Sequence, residues 1–295
     1  IHELIYKEFF VATLHHSTVY PFRLFPIDLI LSPVSTNHTT SLLTFNLLDG
    51  SVLKITGDFS LSGTDVLDGS VSKVELFEAG SKQLSLSNLS ISFDNLMTIA
   101  ADANPDALLS GNDTVNGSTL GDMLWGFDGD DSIYAGKGYD RLYGGDGNDK
   151  LYGGDGQDTL LGGAGHDFVN GGAGADRLVG GGGNDLYVVD NTNDSVVEWQ
   201  NSGIDTVETA LSSYTLTNNV ENLTYTGNAS FTGTGNALNN VIVAGAKADV
   251  VYGQSGDDFI RGGNGNDTLY GGWGNDTLIG DAGANAITTL ASGTI

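Results

Sequence analysis

One apolar residue recurs every nine positions along the middle and the end of the chain. Val115, Leu124, Ile133, Leu142, Leu151, Leu160, Val169, Leu178 and Tyr187 keep that spacing, and Val251, Ile260, Leu269 and Leu278 take it up again further on. An aspartate stands two residues before each of them. These are Asp113, Asp122, Asp131, Asp140, Asp149, Asp158, Asp167, Asp176 and Asp185, then Asp249, Asp258, Asp267 and Asp276. Ahead of most lies a glycine-rich run such as Gly144-Gly145-Asp146-Gly147-Asn148-Asp149. A fixed period of this kind marks a repeat architecture. Solvated turns also use aspartate and glycine, but they do not hold them in strict register.

The N-terminal part follows another pattern. From Ser41 to Phe93 short β-like runs (Leu42–Phe45, Val52–Ile55, Val71–Phe77 and Leu84–Phe93) are separated by polar turns such as Leu48-Asp49-Gly50. They predict a small antiparallel β domain within residues 1–95, with 1–40 apolar but irregular. Asp94 to Leu109 carries helix formers at apolar spacing, interrupted by Pro105. A short capping helix is therefore expected over 96–110, covering the apolar edge of the first repeat. The repeats divide into 111–189 and 244–295. Between them a spacer, 190–243, holds strand-like pieces such as Ser195–Trp199 and Glu221–Tyr225 and is expected to continue the winding with longer coils.

Composition narrows the class. Glycine fills 44 positions and proline 4, which excludes collagen. Acidic residues outnumber basic ones 37 to 11, for a net charge of -26. Nucleic acid and anionic membranes are poor partners for such a surface. The compact chain also repels itself unless cations neutralise it. Cysteine is absent, so metal takes the place of disulfide staples. No apolar run is long enough for a membrane span. The chain begins at Ile1, as a fragment or processed product would.

The phased aspartates, apolar partners and glycine runs follow the nonapeptide GGxGxDxUx. They resemble the RTX family of hemolysin-type calcium-binding repeat proteins, which are exported by type I secretion. The clear likeness spans about 111–189 and 244–288, and Asn184–Asp190 and Val220–Thr224 resemble a spacer common in that family. The resemblance implies an all-β fold, a parallel β-roll or β-solenoid of repeats preceded by the small β domain and the capping helix. Each nonapeptide would be a loop and a short strand, two making one turn of a flattened coil. It also implies an extracellular or cell-surface location in a bacterium.

The chemistry of the repeat fits calcium. Three-residue strands around a core one side chain wide cannot hold a glycine-rich chain against its backbone entropy, about 1–2 kcal/mol per residue. Glycines at Gly129, Gly138, Gly145, Gly147, Gly154, Gly156, Gly163, Gly165, Gly172, Gly174, Gly256, Gly263, Gly265, Gly272 and Gly274 accept positive φ and turn carbonyl oxygens toward a common centre. The thirteen aspartates add carboxylate oxygens. Calcium takes 6–8 hard oxygens, which two stacked loops supply, whereas magnesium keeps its waters and zinc lacks cysteine and clustered histidine here. Same-side partners lie eighteen residues apart: Asp131 with Asp149, Asp149 with Asp167, Asp167 with Asp185, Asp140 with Asp158, Asp158 with Asp176, Asp249 with Asp267 and Asp258 with Asp276. Roughly six to nine ions are expected. Leu120 and Lys247 replace loop glycines before Asp122 and Asp249, and Asn285 replaces the last aspartate, so these sites are expected to be weaker. The further loop acids Asp128, Asp130, Asp146, Asp155 and Asp257 are expected to be surface charge.

No H-E-x-x-H zinc signature follows His2-Glu3, His15-His16 has no third ligand at helical spacing, and no G-x-S-x-G elbow occurs. An enzyme is therefore not expected. The favoured function is a calcium-folded extracellular module, structural, surface, adhesive or self-assembling into a homopolymer or filament. The alternative is the calcium-binding tail of a secreted polysaccharide-modifying enzyme, protease or lipase.

Overall fold

The computed structural model describes residues 29–33, 41–46, 52–62, 65–78, 81–92 and 111–290, with side chains from 111 to 289. All of its regular structure is β; the segment expected as a capping helix, 96–110, lies outside the described residues.

The first five strands form an antiparallel meander: β1 (Leu29–Pro33), β2 (Ser41–Asn46), β3 (Val52–Ser62), β4 (Asp65–Glu78) and β5 (Ser81–Ser92). From β6 (Thr114–Asn116) onward all pairing is parallel. One face is a continuous sheet through β6, β8 (Ser132–Gly138), β10 (Lys150–Gly156), β12 (Phe168–Ala173), β14 (Leu186–Val189), β16 (Thr206–Thr209), β18 (Asn222–Tyr225), β20 (Val241–Val243), β22 (Phe259–Arg261) and β24 (Thr277–Ile279). The opposite face is split in two. Strands β7 (Met123–Asp128), β9 (Arg141–Asp146), β11 (Thr159–Ala164), β13 (Arg177–Gly182) and β15 (Ser195–Val197) make one sheet. Strands β17 (Ser213–Thr215), β19 (Thr232–Thr234), β21 (Val250–Ser255), β23 (Thr268–Trp273) and β25 (Ala286–Leu290) make the other. The chain is thus a parallel β-solenoid. Its first strand is covered by β5, which pairs antiparallel with β6, Leu86 opposite Val115.

The nine-residue period builds this coil directly. A strand of three to seven residues turns its central apolar side chain inward, and the following glycines bend the chain to the other face. Leu151 lies over Ile133 and under Val169, each eighteen residues apart, and Leu160 sits likewise between Leu142 and Leu178. All six are 0 % exposed, so the core is a double ladder, one residue deep on each face. Close stacking also explains why the bends need glycine. Gly163 has φ 125°, and a Cβ there would lie 2.1 Å from the carbonyl oxygen of Gly145 one coil back. On the outer surface the register stacks rings, Tyr134 on Tyr152 at 4.8 Å and Tyr252 on Tyr270 at 4.9 Å.

Residues 190–243 continue the solenoid, though not with uniformly longer coils. Tyr187 pairs with Val207, Val207 with Leu223 and Leu223 with Ile242, giving coils of 20, 16 and 19 residues. Where a repeat would place apolar residue, glycine and aspartate, this stretch has Gly233, Tyr225 and Phe231. The register sets Gly233 against Val251, and the Phe231 N–H donates to Asp249 Oδ1 as a repeat aspartate's would. Phe231, 1 % exposed, fills the space that Gly233 leaves empty and stacks on Tyr225 at 4.4 Å. An aromatic pair here does by packing what polar loops do elsewhere. Phe231→Ala should therefore lower the unfolding free energy of the folded protein by about 3–5 kcal/mol, read by chemical denaturation. Trp273→Ala, at an exposed ring, should cost far less; equal costs would remove the packing role assigned to Phe231.

Candidate metal centres

A repeat aspartate in the middle of a block is tied into the stack through three of its four polar groups. The Asp149 N–H donates to Asp167 Oδ1 at 2.8 Å, its carbonyl accepts from the Phe168 N–H, and its Oδ1 accepts from the Asp131 N–H. The fourth group, Oδ2, has no partner, although the residue is 1 % exposed. The same is true of Asp131, Asp140, Asp158, Asp167, Asp176, Asp185, Asp258, Asp267 and Asp276, and of one residue outside the nine-residue phase, Asp205. A buried polar atom left unpaired costs about 1–3 kcal/mol, and more when charged. Eleven of them, ten in one phase, is not a tolerable set of accidents.

Where these oxygens point is given by the first glycine of each loop. A Cβ on Gly144 would lie 2.2 Å from Asp149 Oδ2 and 2.4 Å from the Gly162 carbonyl oxygen of the next coil. Gly126 shows the same with Asp131 and Gly144, Gly153 with Asp158 and Gly171, and Gly253 with Asp258 and Gly271. Carboxylate and carbonyl oxygens thus converge on a cradle that a side chain would fill. Such an all-acceptor, all-oxygen set suits a hard divalent cation, and among the described residues no donor bonds to its Oδ2 atoms. Asn285 shows the alternative. Its Oδ1 accepts from the Asp267 N–H as an aspartate's would, but its Nδ2 donates to the Gly280 carbonyl at 2.8 Å. The amide satisfies its own loop.

The structure separates the thirteen phased aspartates. At Asp122 the second oxygen accepts from the Ser118 N–H and hydroxyl, and at Asp249 from the Gly245 N–H. These are the two loops in which Leu120 and Lys247 replace glycine. Asp113, at the start, is buried, but its carboxyl is not among the unpaired ones. Of the fifteen glycines named from the sequence, fourteen adopt positive φ; Gly174 does not. The loop acids Asp128, Asp130, Asp146, Asp155 and Asp257 are exposed. Sequence reasoning missed the first loop glycines at the cradles, Gly126, Gly144, Gly153 and Gly162 among them. It also missed Asp194, which continues the nine-residue phase and whose Oδ1 accepts from the Asp176 N–H. That residue closes a turn instead of leaving an oxygen free, since its Oδ2 accepts from the Asp190 and Asn191 N–H groups.

Burial pushes several of the unpaired carboxyls well above their ordinary range. Asp131 and Asp167 rise to about 7, through desolvation first and then through the like charges of the neighbouring coils. Desolvation likewise carries Asp140, Asp149, Asp176 and Asp258 to about 6.

A parallel solenoid with a buried, half-satisfied carboxylate at most bends of its two repeat blocks is a β-roll. Residues 109–142, 125–160, 152–187, 161–196, 234–269 and 252–287 each match the RTX calcium-binding nonapeptide repeat. The chain thus carries several copies of the RTX calcium-binding repeat, within 109–196 and 234–287. No curated protein gives a significant match to the chain.

The raised carboxyls fix a sign for pH. Without metal the folded state holds more protons than the unfolded one between about pH 4 and 7, so stability falls as pH rises through that window. The calcium-free protein should then gain β signal in circular dichroism on acidification from pH 7.5 to 5. In weak buffer near pH 6, calcium addition should release protons. A calcium-free protein with less β structure at pH 5 than at 7.5 would contradict the geometry.

Proposed function

We propose that the repeat aspartates with unpaired Oδ2 atoms are the calcium ligands, together with the loop carbonyls, and that calcium drives folding of the solenoid outside the cell. The observation that carries this is the row of buried, unpartnered carboxylate oxygens facing carbonyls of the adjacent coil. Bound calcium supplies positive charge at each cradle and completes a coordination shell of hard oxygens. The aspartates orient one oxygen inward by spending the other on the neighbouring backbone. The glycines hold the carbonyls at close approach, and the apolar ladder excludes water from the interior side. Asp113, Asp122 and Asp249 would bind weakly or not at all, since the last two already have donors on the second oxygen. The count of roughly six to nine ions follows from stacked loops sharing ligands.

A chain that needs calcium at the affinity common to extracellular modules, about 10⁻⁴–10⁻³ M, stays unfolded inside a cell and folds once exported. This supports a secreted bacterial protein, with the solenoid as a structural or surface module. Coils that pair strand edge to strand edge also support self-association into a filament as the module's role.

The experiment is circular dichroism of the whole chain during calcium titration. A cooperative gain of β structure is expected, with a midpoint between about 0.1 and a few millimolar; equal spectra with calcium and with chelator would refute the proposal. Shared ligands add a sharper expectation. Asp149 is bracketed by Asp131 and Asp167, while Asp276 has a repeat neighbour on one side alone, Asp258. Asp149→Ala should shift the calcium midpoint further than Asp276→Ala, and equal midpoints would speak against shared ligands.

A further inference from the structure

The end of the first repeat block departs from the nonapeptide in a way that adds carboxylates. Two residues after the apolar strand residue the repeats place glycine, as at Gly180 after Leu178; after Val196 that place is taken by Glu198. The next coil is 20 residues long, which puts Asp205 against Asp185: the Asp185 N–H donates to Asp205 Oδ1 at 2.9 Å. Carboxylate oxygens of Asp185, Glu198 and Asp205 lie within 4.8 Å of one another, and all three residues are buried. Glu198 and Asp205 lie beyond residue 196, where the family matches of this block end.

Three buried acids alone could be a structural cluster. What points to a ligand is that two of them have an oxygen with nothing to bind. Asp205 is 0 % exposed and Asp185 2 %, and Oδ2 of each is unpartnered. The cluster is otherwise well held. The Tyr187 hydroxyl donates to Glu198 Oε1, Ser202 Oγ donates to Glu198 Oε2 at 2.7 Å, and the Asp205 N–H donates to Glu221 Oε2 at 2.8 Å. These donors are thus spent on atoms other than the two free oxygens. The two ion pairs among the described residues, Lys137–Asp155 and Arg261–Asp281, involve none of the three.

We propose that Asp185, Glu198 and Asp205 form a separate divalent-cation site, built from three carboxylates, that closes the first repeat block. Its occupant is calcium. The donors are hard oxygens only, and the affinity of such sites for calcium rises with the number of charged ligands. A repeat cradle offers one free aspartate oxygen and carbonyls, whereas this site offers two free aspartate oxygens with the charge of a third carboxylate, Glu198, beside them. It therefore fills before the repeat cradles and pins the irregular coil on which the spacer is wound.

The test is native mass spectrometry of the full chain over rising calcium, which counts ions one at a time. Wild type should take up one ion at lower calcium than the rest. Glu198→Gln and Asp205→Asn should each lose that first ion and at least one from the final count, while Glu208→Gln, on the neighbouring strand outside the cluster, should keep both. Wild-type uptake in either acid-to-amide variant would overturn the proposal. So would failure of both variants to fold at saturating calcium while Glu208→Gln folds, because the acids would then act in the fold itself and not through a separable ion. A wild-type chain that binds no calcium would refute the calcium-folding reading too, whereas normal repeat loading without the early ion refutes this site alone.

Discussion

Everything in this solenoid depends on burying a charged oxygen beside another coil's carbonyl. The arrangement is unfavourable by itself: the carboxylates are desolvated, stacked on like charges, and left with an unmatched acceptor. Those costs explain the rest of the design. The apolar ladder keeps water away on one side, and the glycines bring backbones close enough for oxygens of two coils to meet. An aspartate within a block, such as Asp149, also spends its own N–H, C=O and Oδ1 on its neighbours, which aims its second oxygen in the folded coil. The fold is a scaffold that brings a row of unpaired carboxylate oxygens up against the carbonyls of the adjacent coil.

The spacer shows what the chain does when no ion is called for. Tyr225 and Phe231 stand in the places of a glycine and an aspartate and close the bend by ring stacking. Asn240 and Asn285 solve the same problem with amide nitrogens, which donate to carbonyls of nearby residues. Ionic, apolar and amide bends are three ways to complete one backbone geometry, and each can follow another because the parallel pairing across the coil does not change.

The fold and most of the candidate site were legible because a nine-residue period survives any local irregularity in the loops. A strand residue and its aspartate keep their separation of two wherever the coil closes in eighteen residues. Legibility fails where coil length changes. Asp205 lies off the phase because a 20-residue coil precedes it, and Glu198 breaks the glycine rule at the place that matters most. Asp194 was in phase and could have been found, but only geometry shows that its second oxygen caps a turn. The meander was readable as β runs. The antiparallel union of β5 with β6 was not, because edge pairing leaves no periodic trace in sequence.

The split of one face into two sheets has a mechanical meaning. Strands lie across the solenoid axis, so the hydrogen bonds between them run along it and carry any load applied at the ends. Over most of the length two parallel strips of bonds share that load. Between β15 and β17 the second strip is interrupted, and the strand pairing of β14, β16 and β18 bridges the gap, helped on the interrupted side by the Asn219 Nδ2 bond to the Glu198 carbonyl. A pulled rod of this construction yields there first, on one side, by hinging open like a book whose spine is the continuous sheet.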